Sequence, residues 1–95
     1  MFNQVVLVGT IKKMERLNND KNEMIVSLYI KTNYAEEDFV GVDCLLCNKL
    51  ANNVEQISKI GDIMGVKGFI DYRDGMVVAA EKITLLSSYQ EKEEK

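Results

Sequence analysis

Residues 44–47 read Cys-Leu-Leu-Cys, a spacing that can serve a redox centre, half of a metal site, or no chemistry at all. The run from Phe39 to Cys47 reads as a strand, on which side chains alternate, so a separation of three sends the two thiols to opposite faces. Their Cα atoms would stand about 10 Å apart at roughly 3.3 Å per residue, whereas an undistorted disulfide spans less than about 7 Å. Thioredoxin-like chemistry wants the pair at a helix N-terminus, where the dipole lowers a thiol pKa, and here the following helix begins only after Cys47. A zinc site would need two further ligands, yet the chain has no histidine and no third cysteine. The pair is expected to be one buried and one surface-facing cysteine.

The missing histidine also removes the commonest general base. No spacing singles out a lysine or carboxylate to replace it, so no catalytic residue, metal site or cofactor is expected and the chain does not read as an enzyme. The net charge of −3 gives no general attraction to nucleic acid, and Glu91–Lys95 contributes three acids and two bases of it, so the rest is acidic as well. Any such binding would need a local basic stripe. No apolar run approaches the roughly 18 residues of a membrane span, and Met1-Phe2-Asn3-Gln4 does not begin like a signal peptide. With two cysteines and no secretory signal, a reducing cytoplasm is the expected location.

The elements that would position a binding surface can be traced along the chain, which at 95 residues is long enough for one domain. Phe2–Ile11 is a β-branched run with apolar residues on both parities, the pattern of a strand covered on both faces or one that meets another subunit. Arg16–Glu23 is polar and Asn-rich, a hairpin loop. Met24–Thr32 alternates, with Met24, Val26, Leu28 and Ile30 on one side and Ile25, Ser27, Tyr29 and Lys31 on the other. A polar loop, Asn33–Asp38, precedes the third strand. Asn48 then offers an N-cap for a helix whose Leu50, Val54 and Ile57 share a face until Gly61. Asp62–Tyr72 is a fourth strand, with Lys67, Phe69, Asp71 and Arg73 on one face and Met64, Val66 and Ile70 on the other. Asp74-Gly75 signals a two-residue hairpin into the fifth strand, Met76–Leu86. Five short strands with one helix between the third and fourth predict an all-β fold, a five-stranded antiparallel barrel of the OB type.

Several phrases also align with a known family. "NQVVLVGTIKK" resembles the opening of bacterial single-stranded DNA-binding proteins, "DFVGVDCLLCNKLANNV" their third strand and helix, "KIGDIMGVKGFID" their fourth strand, and "VVAAEKITLL" their fifth. The resemblance is colinear over roughly residues 2–87. It implies a domain over 1–88, and the charge run that follows reads as a solvated tail over 89–95. The resemblance further implies oligomers of two or four copies that bind single-stranded DNA without sequence preference in replication, repair or recombination. In such binding, bases stack on aromatic faces and phosphates meet basic side chains.

The departures are as specific as the matches. Gly41 and Cys47 stand where the family places stacking aromatics, Thr10 and Gln4 where basic residues are common, and Asp74-Gly75 where a long basic hairpin is usual. The acidic, Phe-ended tail that recruits replication proteins is replaced by "EKEEK", so no such recruitment is expected. Tyr34 falls where the family carries a loop aromatic, Lys49 matches a helix-start lysine, and Arg73 an arginine late in the fourth strand. Parity adds Phe69 and Lys67, and Tyr29 with Lys31 on the outer face of the second strand. Lys12, Lys13 and Arg16 form the densest basic cluster, interrupted by Glu15. The expected nucleic-acid contacts are therefore Tyr34, Phe69 and Tyr29 for stacking and Lys31, Lys49, Lys67 and Arg73 for phosphates. The alternative is a relative that keeps the barrel but binds protein, or one resembling primosomal replication protein B.

Overall fold

The computed structural model describes residues 1–32 and 39–86. Five strands, β1 (Val5–Arg16), β2 (Met24–Lys31), β3 (Phe39–Leu46), β4 (Ile63–Tyr72) and β5 (Met76–Leu85), close into a barrel, and α1 (Asn48–Ile57) lies between β3 and β4. Around the barrel the order is β1-β2-β3-β5-β4, with β4 returning to β1. The sheet is mixed rather than antiparallel throughout, because β3 and β5 pair in parallel at Cys44↔Val78 and Leu45↔Ala79. The reason is one of parity. Strand directions cannot alternate all the way around a closed ring of five, so one neighbouring pair must run the same way.

β1 is longer than its expected end at Ile11. Its first half pairs with β4, from Val5↔Gly68 to Thr10↔Ile63, and its second half with β2, from Thr10↔Tyr29 to Arg16↔Met24. A bulge between Ile11 and Lys13 separates Lys12 from the ladder and shifts the side-chain alternation. That shift conceals the continuation of the strand from a period-2 reading. β1 also crosses close over β2 at Gly9, where a Cβ would stand 2.7 Å from the Tyr29 carbonyl oxygen. Only glycine allows that approach.

The core follows the alternation of β2. Met24, Val26 and Leu28 are buried with Ile11, Cys44, Leu46, Met64, Val66 and Val78, and Ala51 and Val54 of α1 close the end of the barrel where β3 finishes. On α1 the inward face is Ala51 and Val54 with Leu50 half-buried, while Ile57 is exposed. Cys47, not Asn48, holds the N-cap position and makes no side-chain cap bond. Asn48 instead accepts from Arg16, whose guanidinium also donates to Glu55, to the Asn52 side chain and to the Asn22 carbonyl. Arg16 thereby fastens the helix to the first hairpin. The β4–β5 turn holds Arg73, Asp74 and Gly75 between the paired Tyr72 and Met76, one residue more than expected, with Asp74 and Gly75 both at positive φ.

Candidate nucleic-acid interface

The outer face of β1, β2 and β3 gathers the residues suited to a base and a phosphate. In the β2–β3 ladder, Tyr29 stands opposite Gly41 and Lys31 opposite Phe39. The Tyr29 and Phe39 rings stack, with centroids 6.2 Å apart and planes 26° from parallel. Both are large apolar surfaces left open to solvent, at 43% and 54% exposure. Lys12, released from the ladder by the bulge, carries its Nζ to 5.4 Å from the centre of the Tyr29 ring. Gly41 lies beneath that ring, where a Cβ would come to 3.5 Å of Tyr29 Cε1. Gly41 therefore supports a neighbour's aromatic ring at the position where it lacks one of its own.

One step further along the same face, Ser27 Oγ donates to Asp43 Oδ1 at 2.6 Å. Lys13, opposite Ser27, forms an exposed ion pair with Glu15 at 3.4 Å. The face thus carries two exposed rings, Lys12 and Lys31 beside them, and two carboxylates, Asp43 and Glu15. Phe39 and Lys12 complete it, and neither belonged to the expected set. The register could have found Phe39: two alternating strands joined by a short loop place the start of β3 opposite the end of β2.

The other expected contacts lie elsewhere. Lys67 sits on β4 opposite Val6 on one side and Lys82 on the other. Phe69 is half-buried opposite Ala79 on the same strand pair. Lys49 is exposed on the first turn of α1. Tyr34 falls outside the described residues, as does the tail over 89–95. Ile70, expected to face inward with Met64 and Val66, is exposed near the end of β4, at the barrel mouth that the helix does not cover.

Arg73 is engaged within the protein. Its Nη1 and Nη2 donate to the two oxygens of Glu23 at 3.2 and 3.4 Å. Glu23 is only 8% exposed and also accepts from Asn19. The hydrogen bond from Arg73 is the main reason the Glu23 carboxyl is held below its ordinary pKa, and the same bond raises that of Arg73.

The cysteines are settled by burial. Cys44 is fully buried in the core, which pushes its thiol up to about 12, while Cys47 is exposed at the start of α1; both are free. Among the described residues no three potential metal ligands gather, and no helix is long and apolar enough to cross a membrane.

No protein-family model matches the chain, and no curated protein matches it in sequence. Solved structures do match. The N-terminal domain of the PriB protein from Thermoanaerobacter tencongensis, described as dimeric, superposes with a TM-score of 0.72 at 18% identity, covering 87% of this chain and 94% of that one. The SSB domain of a Synechococcus sp. protein gives 0.70 at 8% identity, over 87% and 94%. A mitochondrial single-stranded DNA binding protein from S. cerevisiae gives 0.75 at 13% identity, over 92% and 96%. The fold is theirs, an OB-fold. The likeness is one of backbone, and the stacking face rests on this chain's own residues.

Proposed function

We propose that this protein binds single-stranded DNA without catalysis, stacking bases on Tyr29 and Phe39 and meeting phosphates with Lys12 and Lys31. The observation that carries the reading is the exposed, stacked pair itself. Two rings facing solvent on a strand surface, with a lysine over one of them, serve no core and suit the flat face of a base. The OB-folds that this chain resembles include proteins named for single-stranded DNA binding, which supports the same ligand. Such a protein would be cytoplasmic and nucleoid-associated, acting in replication, repair or recombination, with its binding domain over 1–88.

The binding experiment is fluorescence anisotropy with a labelled mixed-sequence single strand at low salt. Saturable binding that weakens steeply as salt rises is expected. The net charge of −3 and the nearby carboxylates make the affinity modest. No binding at low salt would end the proposal.

Self-association belongs to the same reading. The outer face of β1 presents Val6 at 69% and Val8 at 56% exposure, next to Gly65 and Thr84 in register. We assign this patch, where β1 meets β4, to a second copy of the chain. The dimeric state described for the PriB domain is in keeping with it.

A further inference from the structure

The parallel pairing of β3 with β5 is confined to Cys44↔Val78 and Leu45↔Ala79. N-terminal to these residues the two strands part, and the gap is an apolar cavity of about 450 Å³ walled by Val5, Leu7, Val42, Ile70 and Met76. Its size falls within the range of about 300–1,000 Å³ typical of small-molecule sites. Gly41 and Asp43 line it as well, and both belong to the stacking face, so the cavity adjoins that face along β3.

We propose that this cavity receives one nucleobase carrying an exocyclic amino group, with Asp43 accepting a hydrogen bond from that amine. The inference rests on single-strand binding by the Tyr29–Phe39 face and adds a preference to it. Asp43 is the one polar residue among the described lining residues. An ionised carboxylate only accepts hydrogen bonds. It repels phosphate and the carbonyl O4 of thymine or uracil, and it matches the N4 amine of cytosine. Among the described residues its carboxylate has a single hydrogen-bond partner, Ser27, which holds Oδ1 and leaves Oδ2 to accept. A carboxylate so placed is unfavourable for a surface that only grips the backbone, and it becomes favourable when it reads a base edge. Gly41 and Asp43 are two residues apart, about 7 Å along β3 at roughly 3.3 Å per residue. A base beside the one on Tyr29 can therefore turn into the cavity, and in a single strand it breaks no base pair to do so.

The test compares oligodeoxycytidine with oligodeoxyuridine of equal length by anisotropy on the full chain. The two strands share ring size and differ along one base edge, where cytosine has the 4-amine and an N3 acceptor and uracil has a 4-carbonyl and an N3–H donor. The expected result is roughly tenfold tighter binding of the cytidine strand, the scale of one hydrogen bond to a charged group. Asp43→Asn and Asp43→Ala should bring the ratio near one, with the alanine variant tightening on the uridine strand as the repulsion is lost. Ser27→Ala should lower the ratio in part. Equal binding of both strands by the unaltered protein, or a ratio that survives both Asp43 changes, overturns the base pocket and leaves single-strand binding standing. Failure to bind either strand overturns the parent reading and the pocket with it.

Discussion

Tyr29 and Phe39 are exposed and stacked on each other, and their removal is the direct test of the stacking face. Stacking of a base on an aromatic ring is worth about 1–3 kcal/mol by alanine substitution. Tyr29→Ala and Phe39→Ala should therefore each weaken oligonucleotide binding by roughly tenfold, measured by anisotropy. The double variant should lose less than the product, since the rings touch each other. Glu23 makes a separate, pH-dependent claim. Its folded-state pKa lies below the ordinary 4.5 because it accepts from Arg73. The stability it contributes is thus complete above 4.5 and is lost as pH falls through the lowered value. Thermal unfolding of the protein and of Glu23→Gln should differ clearly near neutrality and converge in acid. Tyr29 was legible from strand parity. Phe39 shows only through the β2–β3 register, which sets it opposite Lys31, away from the family's stacking positions at Gly41 and Cys47. The Glu23–Arg73 bond joins residues 50 apart in sequence, and no local pattern announces it.

At the scale of elements, alternation and turn residues placed all five strands and the helix, and failed where a strand changes phase. β1 was cut short because the bulge at Lys12 moves Met14 inward by one step. The same bulge frees Lys12 to reach Tyr29, so the irregularity that hid the strand also builds the site. A second shift, between Lys67 and Gly68, brings the β4 backbone against β5. A Cβ on Gly68 would collide with the Ala79 carbonyl, a fixed backbone group with no rotamer to yield. Gly68→Ala should therefore destabilise the protein by about 1–3 kcal/mol or more, the usual consequence of overpacking. Urea denaturation followed by circular dichroism would show it as a lower midpoint. The equivalent change at Gly75, whose surroundings are open, should be milder and arise from its positive φ alone.

For the molecule as a whole, closing five strands into a ring forces one parallel pair, and that constraint shapes the function proposed. Where β3 and β5 part, the apolar cavity opens beside the stacking face. Around the barrel from β2 and β3, the β1–β4–β5 face carries Val6 and Val8 in the open, with Lys67 directly opposite Val6 and Lys82 beyond it. Apolar residues on both parities of β1 already indicated a strand covered twice. The sequence could not say by what, since a covering subunit leaves the same pattern as a covering element. If a second copy covers it, a charge placed there must break the assembly without entering the core. Val6→Glu, on the outer face of β1, should shift the protein to monomer in sedimentation velocity while its circular dichroism and urea midpoint change little. The monomer should still bind a short oligonucleotide, because Tyr29 and Phe39 are carried by β2 and β3 while Val6 lies where β1 pairs with β4. It should lose affinity for a long one, because linked sites on one assembly raise the local concentration that a second contact meets. A variant that unfolds, or one that remains assembled, would remove this face from the interface. Equal losses on short and long strands would instead make assembly a condition of the stacking site.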